Sequence, residues 1–311
     1  LDSKTTAPRD SELYHHAFYE APSIRKIGDL YYLVYSSGEN NELAYATSRY
    51  PDREFRYRGV IISNSDLGYK GNTIPKAPAG TIHGGIEYVG GQWYVFYHRQ
   101  TGTDEFARQA MVAPIAVTVE EGPGGKVCIS EGEYNSEGFS LDGLNPLEEH
   151  SAGLACWYTA SKVAEHNWPN KTFYGSYVAS GYGTEDNFEA PYALRNNHNP
   201  VVNNTDGSIV GYKYFNFTST YGRRNLKLVM NLIPEGVDGT ITVMADRPWT
   251  SQGGIVLGSL ELRPDMPETP AEFSIDVPAL AELDGKHAIY LKFNSDVADK
   301  SICVLNNLKF K

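Results

Sequence analysis

The chain has 311 residues with 27 basic and 38 acidic side chains, which give a net charge of −11. This acidic balance argues against a protein that binds nucleic-acid backbones, and a hydrophobic fraction of 41% excludes a chain that is disordered throughout. No apolar run approaches the roughly 20 residues of a membrane-spanning helix, so no membrane span is expected. The cysteines are far apart without metal-ligand spacing, and we expect all of them to be small buried hydrophobes: Cys128, Cys156 and Cys303.

The sequence consists mainly of strand-length runs, many of them rich in aromatic and β-branched residues, that end at Gly, Asn, Asp or Pro. This pattern predicts an all-β chain. Residues 24–35 align without gaps on residues 86–97, at an offset of 62 residues, and each copy predicts a strand, a tight Gly turn and an aromatic strand. Further strands are predicted at residues 43–47 and 60–63 after the first copy and at 109–115 after the second.

A repeated antiparallel sheet of about four strands is the unit of a β-propeller. Two such units cannot close a ring, because each blade packs against two neighbours. We therefore expect residues 1–125 to be the C-terminal blades of a propeller that is N-terminally incomplete in this chain.

The second half of the chain lacks the repeat. Residues 126–200 are polar, with strand-like pieces at 126–130 and 154–158, and they predict a bridging segment. Residues 201–311 predict a β-sandwich of the jelly-roll type. Its strands are expected at residues 210–217, 225–232, 239–245, 254–262, 272–277, 287–293 and 301–310.

Two polar residues occupy nearly equivalent places ahead of the repeat copies. Glu20 precedes the first copy by four residues, and His83 precedes the second by three. In a propeller the first strand of each blade lines the central channel, so both side chains are expected to converge there. Glu20 lies between apolar neighbours, which suits a partly desolvated general acid; the alternative is a structural Glu bonded to a turn. His83 has three interpretations, which are orienting a carboxylate, contacting a sugar and binding a metal, and Gly84–Gly85 allows a close backbone approach.

The segment 19–36, YEAPSIRKIGDLYYLVYS, resembles a characteristic segment of glycoside hydrolase family 43. The resemblance implies a five-bladed β-propeller in which the Glu of that segment, here Glu20, is the general acid. His83 and residues 93–99 resemble the next blade, where the family has a His that lies under the active site and supports a calcium ion or a water cluster. Arg108 resembles an arginine that lines the substrate-binding subsite.

The resemblance further implies hydrolysis of arabinofuranosyl or xylosyl linkages in plant cell-wall polysaccharides such as xylan and arabinan, with inversion at the anomeric carbon. Glu20 would protonate the leaving oxygen while a carboxylate across the site activates water, the two carboxyl groups being ~6.5–9.5 Å apart. The expected substrate-binding residues are Phe18, Tyr19, His83 and Arg108. No cofactor is required by this chemistry, and Ca²⁺ at His83 is the metal that the resemblance suggests.

Family members also use two aspartates on blades that precede the Glu segment, and residues 1–19 contain no equivalent of either. The expectation is therefore a family 43 enzyme whose general base is not found in this chain, because the chain is either a fragment or divergent. The alternatives are a non-catalytic carbohydrate-binding protein with a degenerate propeller and a purely structural protein. We expect a polysaccharide or oligosaccharide partner and, in keeping with a pI of 5.2, a secreted or periplasmic location.

The C-terminal sandwich resembles the carbohydrate-binding-module-6-like domains that accompany this family, and residues 211–217 and 305–310 carry the resemblance. Such modules bind sugar with aromatic residues and an Asn near the last strand. The candidates for a sugar site are therefore Trp249, Asn306 and Asn307. The alternative is a scaffold without sugar binding.

Overall fold

A computed structural model of the chain describes residues 1, 12–38, 42–63, 80–101, 106–119, 127–167, 170–179 and 199–311. The backbone contacts divide the chain into two units. The first comprises Leu1–Ser65, Ala79–Gln100 and Arg108–Tyr134, and the second comprises Asp66–Pro78, Thr101–Ala107 and Asn135–Lys311. Strands dominate the described residues, which confirms the all-β prediction. None of their helices has the length and apolar character needed to cross a membrane.

The first unit contains a short helix, α1 (Glu12–His15), and antiparallel sheets. A four-stranded sheet has the order β1-β2-β3-β4, a three-stranded sheet the order β5-β6-β7, and β8 pairs with β9. The strands are β1 (Phe18–Ile27), β2 (Leu30–Ser37), β3 (Leu43–Ser48), β4 (Arg56–Ile62), β5 (Gly84–Val89), β6 (Gln92–Gln100), β7 (Arg108–Ile115), β8 (Val117–Val119) and β9 (Val127–Ile129).

The two repeat copies fold into equivalent hairpins. The β1–β2 hairpin turns at Gly28, and the β5–β6 hairpin turns at Gly90 and Gly91. Gly28 and Gly90 both have φ +58°, a left-handed conformation that glycine adopts at low cost. The repeat alignment is therefore confirmed at the level of the hairpin, while the closed propeller stays a prediction.

The two larger sheets of the first unit share one hydrophobic core. Tyr32 and Ile61 from the four-stranded sheet belong to the same buried cluster as Ile86 and Val95 from the three-stranded sheet. Their burial places the two repeat copies side by side, as neighbouring blades would be.

The second unit contains a six-stranded and a five-stranded antiparallel sheet. The first has the order β14-β15-β22-β17-β20 with β10 also on β22, the second the order β11-β16-β21-β18-β19, and β12 pairs with β13. The strands are β10 (His150–Ser151), β11 (Trp157–Thr159), β12 (Glu165–Asn167), β13 (Asn170–Thr172), β14 (Tyr177–Val178), β15 (Val201–Val202), β16 (Ile209–Asn216), β17 (Lys227–Pro234), β18 (Gly239–Ala245), β19 (Ile255–Leu262), β20 (Ala271–Asp276), β21 (Lys286–Asn294) and β22 (Cys303–Phe310).

Residues from both of these sheets form one buried cluster, which includes Met230 and Leu308 from the six-stranded sheet and Val243 and Leu291 from the five-stranded sheet. Each of the seven strands predicted after residue 200 has a counterpart whose ends lie within two residues of the prediction. The strands are therefore confirmed, and their jelly-roll connectivity stays a prediction.

The predicted bridge at residues 126–200 is divided between the two units. Strand β9 belongs to the first unit, whereas residues from Asn135 onward belong to the second. There β10 pairs with β22 and β11 pairs with β16. These strands have only two or three residues, too few to produce a periodic pattern in the sequence.

The expectation of three buried cysteines is wrong at one position. Cys156 and Cys303 are buried, but Cys128 is exposed. Cys128 lies in the short strand β9 and pairs with Thr118 across the β8–β9 ribbon. One face of a two-stranded ribbon is open to solvent, so a residue within it need not be buried.

Candidate active site

Strands β1 and β5, which begin the two repeat copies, lie next to each other with equivalent residues in contact. Arg25 Nε is 3.1 Å from Glu87 Oε2. Two residues earlier on both strands, Gly85 lies so close to Ser23 that a Cβ at residue 85 would be 2.6 Å from Ser23 Oγ. The missing side chain of Gly85 therefore leaves room for the Ser23 side chain between the two strands.

Glu20 and His83 meet at the end of this row of contacts. Glu20 Oε1 and His83 Nε2 form a hydrogen bond of 2.8 Å, and the two side chains are 41% and 39% exposed. The predicted convergence of Glu20 and His83 is confirmed, and their catalytic and binding roles stay predictions. A carboxyl group held by an imidazole and open to solvent is placed to exchange a proton with a bound molecule.

The backbone of β1 is irregular on both sides of Glu20. Glu20 pairs with Ser36, and the next registered pair is Ser23 with Val34, so three steps along β1 match two steps along β2. This is a β-bulge, a device that changes the direction of a side chain near a strand end. Ala21, within the bulge, has φ +57°, which costs ~1–2 kcal/mol for a residue with a Cβ. The direction of Glu20 is therefore fixed by a strained local backbone.

His98 is a member of the site that the sequence analysis missed. It lies in the central strand β6, where the backbone N–H of His83 donates a hydrogen bond of 3.2 Å to His98 Nε2. Arg108 Nη1 is 3.1 Å from the same nitrogen and donates to the Thr81 carbonyl oxygen at 3.0 Å. Burial, and next the charge of Arg108, lower the pKa of His98 to about 4. The imidazole is therefore neutral at physiological pH.

A signal for His98 is present in the sequence. His98 stands at the offset of 62 residues from Ser36, one position beyond the aligned copies. Ser36 is the strand partner of Glu20, and the backbone N–H of His98 donates to the carbonyl oxygen of His83. An alignment extended by one residue would have placed His98 opposite His83.

The structure connects three of the predicted site residues in one chain of contacts. Glu20 contacts His83, His83 contacts His98, and His98 contacts Arg108. Phe18 instead packs against Tyr35 and the small residues beside it in a hydrophobic cluster. Tyr19 is 41% exposed. The position of Phe18 indicates a structural contribution, and that of Tyr19 leaves its ring accessible to a ligand.

The residues around His83 supply few of the ligands that calcium prefers. Ca²⁺ takes about 6–8 oxygen ligands, water among them, whereas His83 contacts one carboxylate and a second imidazole, and Arg108 Nη1 lies 3.1 Å from that imidazole. In the part of the chain that the structure describes, no three His, Cys, Asp or Glu side chains are grouped so that they could hold a metal. Side chains alone therefore do not form a calcium site here, and Ca²⁺ at His83 stays a prediction.

Of the three residues predicted for a sugar site in the second unit, Trp249 lies between β18 and β19, whereas the two asparagines lie together in one strand of the other sheet. Trp249 packs against a cluster that includes Tyr290 of the five-stranded sheet. Asn306 and Asn307 lie in β22 of the six-stranded sheet, where Asn306 Nδ2 donates to Asn231 Oδ1 at 2.8 Å. These contacts are internal to the unit and do not combine Trp249 with the two asparagines.

The chain has relatives among curated proteins, although no family model matches it. A xylosidase/arabinosidase of Thermoclostridium stercorarium is 32% identical over 293 residues, which cover 92% of this chain and 55% of the relative. A beta-xylosidase of Xylanibacter ruminicola is 35% identical over 83 residues, 27% of this chain and 22% of the relative. The chain therefore spans about half the length of the first relative and a smaller part of the second.

Among solved structures, a family 43 arabinoxylan arabinofuranohydrolase from Bacillus subtilis, in complex with cellotetraose, matches with a TM-score of 0.46 and 19% identity. The match covers 94% of this chain and 54% of that one. The sequence relationship to the Thermoclostridium stercorarium protein is the finding that bears on function, because it extends over nearly all of this chain. The chain is thus related to glycosidases of the xylosidase/arabinosidase type.

Proposed function

We propose that the protein is a glycoside hydrolase of family 43 that cleaves arabinofuranosyl or xylosyl linkages in xylan or arabinan. The observation that carries the proposal is the Glu20–His83 pair, whose members stand at nearly equivalent places ahead of the two repeat copies and are joined by a hydrogen bond of 2.8 Å. The relationship to xylosidase/arabinosidase proteins supports the same substrate class.

In the proposed mechanism, Glu20 in its protonated form donates a proton to the glycosidic oxygen as the bond to the anomeric carbon breaks. His83 holds the Glu20 carboxyl group in position, and Arg108 donates hydrogen bonds to sugar hydroxyls. Water attacks from the opposite face, which inverts the anomeric configuration. The attacking water gives its proton to a general base, which is assigned to no residue because residues 1–19 contain no equivalent of the aspartates that the family uses.

The substrate class also suggests where the protein acts. Xylan and arabinan are polymers that a cell meets outside its cytoplasm, so we extend the proposal to a secreted or periplasmic enzyme. For the second unit we favour a scaffold over a sugar site at Trp249, Asn306 and Asn307. Trp249 is packed in a hydrophobic cluster, and the Asn306 amide is engaged within its own sheet.

The test compares the full-length natural protein with its Glu20→Gln variant on 4-nitrophenyl α-L-arabinofuranoside and β-D-xyloside. Gln keeps the shape of Glu but cannot donate a proton, so kcat/KM should fall about tenfold on these glycosides, whose 4-nitrophenolate leaving group needs only partial protonation. Glu87→Gln is the matched control, because Glu87 is an exposed carboxylate of β5 that forms an ion pair with Arg25 and accepts a hydrogen bond from the Tyr88 backbone N–H. It should change kcat/KM by less than about twofold, since exposed ion pairs contribute little.

Two outcomes would contradict the proposal. The first is a wild-type protein that turns over neither glycoside, and the second is a Glu20→Gln variant that is as active as the wild type. Calorimetric binding of xylo-oligosaccharides without turnover would favour the non-catalytic carbohydrate-binding alternative.

A further inference from the structure

We propose that His98 is a positioning residue whose Nε2 atom fixes His83 and Arg108 relative to each other, by accepting a hydrogen bond from each. This inference rests on the proposed function, because it assigns a role within the same site. His98 itself contacts neither substrate nor the reacting atoms in this account.

Strand register brings the three side chains to one face of the three-stranded sheet. His98 in β6 pairs with Ala110 in β7, and Arg108 lies two residues before Ala110, so Arg108 is the diagonal neighbour of His98 on the same face. On the other side, the backbone N–H of His98 donates to the His83 carbonyl oxygen at 3.3 Å. His98 is thus the central one of three adjacent positions.

The two groups that face His98 Nε2 can act only as donors. One is the backbone N–H of His83, at 3.2 Å, and the other is Nη1 of Arg108, at 3.1 Å. Neither a backbone N–H nor a guanidinium can accept a hydrogen bond from a protonated Nε2. Nε2 must therefore be unprotonated, and the ring proton lies on Nδ1, which has no hydrogen-bond partner among the described residues.

The arrangement couples the proposed acid to the proposed sugar-binding residue. His83 uses its backbone N–H toward His98 and its ring toward Glu20, so the position of the His83 backbone determines the position of the Glu20 partner. Nη1 of Arg108 is held by both His98 Nε2 and the Thr81 carbonyl oxygen. The His83 and His98 rings also meet edge to face, with centroids 4.8 Å apart, which limits rotation of both rings.

A matched pair of amide variants tests this role. The side-chain oxygen of His98→Gln can reach the place of Nε2, whereas the shorter His98→Asn places its oxygen near Nδ1. His98→Gln should retain kcat/KM within about threefold. His98→Asn should lower kcat/KM about 30-fold. KM should rise because Arg108 loses its position for binding the sugar, and kcat should fall because His83 no longer orients Glu20. Equal losses in the two variants would overturn the inference, because the acceptor position would then not matter.

A measurement independent of turnover separates this inference from the proposed function. In protein labelled with ¹⁵N-histidine, long-range ¹H–¹⁵N spectra should show His98 with a protonated Nδ1 and an unprotonated Nε2. The His83 ring resonances should shift in His98→Asn and stay near wild type in His98→Gln. A proton on Nε2, or His83 resonances unchanged in both variants, would overturn the inference. A wild type without turnover would contradict the proposed function alone.

Discussion

Replacing Gly85 by alanine should separate β1 from β5 and weaken the Glu20–His83 contact. The new Cβ would stand 2.6 Å from Ser23 Oγ and 3.3 Å from Ser23 Cβ. Non-bonded heavy atoms prefer a separation of about 3.5 Å, so Ser23 Oγ and the new Cβ must move apart by about 0.9 Å, through rotation of the Ser23 side chain or displacement of β1 from β5. If the strands take up the whole displacement, the neighbouring hydrogen bond of 2.8 Å lengthens to about 3.7 Å, which is outside hydrogen-bonding range.

Two quantities should respond to Gly85→Ala. The free energy of unfolding should fall by ~1–3 kcal/mol, the usual cost of adding a methyl group to a packed contact. Turnover of an aryl arabinofuranoside should fall about tenfold, because Glu20 loses the group that orients it. Urea denaturation followed by circular dichroism measures the first quantity, and steady-state kinetics measures the second.

The control is the double variant Ser23→Ala with Gly85→Ala. Without Ser23 Oγ the closest contact is the one to Cβ at 3.3 Å, which needs a shift of only about 0.2 Å. Most of the stability and turnover should therefore return. Wild-type stability and turnover in Gly85→Ala, or a double variant as impaired as the single one, would refute the argument.

Three further predictions concern single positions. The pKa of His98 is about 4 in the folded protein against 6.5 for the free side chain, so between these pH values the unfolded chain binds a proton that the folded protein does not. The free energy of unfolding should therefore fall by about 1–2 kcal/mol as pH drops from 6.5 to 4. Urea titrations of His98→Gln should show no such pH dependence. Asn204 is fully buried with three side-chain hydrogen bonds, so Asn204→Leu should cost ~3–5 kcal/mol by chemical denaturation, and a loss below about 1 kcal/mol would contradict this. Residue 21 has φ +57°, a conformation that costs a residue with a Cβ but not glycine. Ala21→Val should therefore lower the melting temperature, while Ala21→Gly leaves it near wild type. Equal melting temperatures of the two variants would contradict backbone strain at residue 21.

The parts of the fold that could be predicted from the sequence are those encoded locally. The β1–β2 hairpin has a turn at Gly28 followed by an aromatic-rich strand, and the β5–β6 hairpin repeats this pattern at Gly90. A turn residue and its flanking strands lie within about a dozen positions, so a short window of sequence contains the whole signal. The long strands of the second unit are predictable for the same reason.

The parts that could not be predicted depend on pairing between distant residues. Strand β10 has two residues and pairs with β22, more than 150 positions away. No local pattern encodes such a strand, so the sequence places residues 150–151 in a bridge. The lateral contact of Ser23 with Gly85 is similarly invisible in either strand alone.

The site was partly predictable because the repeat relates its two halves. The offset of 62 residues places the equivalent of Glu20 at residue 82, one position before His83. His98 was missed because a histidine within an aromatic strand gives no signal by itself. Its importance depends on the donors that face it from Arg108 and from the neighbouring backbone.

The central claim, that Glu20 is a general acid toward a glycosidic oxygen, is tested most directly by the dependence of turnover on the leaving group. Wild-type and Glu20→Gln proteins are compared on a series of aryl glycosides and on the corresponding disaccharide. If Glu20 is the acid, its replacement causes a small loss for the 2,4-dinitrophenyl leaving group, which departs without protonation, and a loss of at least ~100-fold for the sugar leaving group. A loss of the same factor across the whole series would contradict the assignment of Glu20 as the acid.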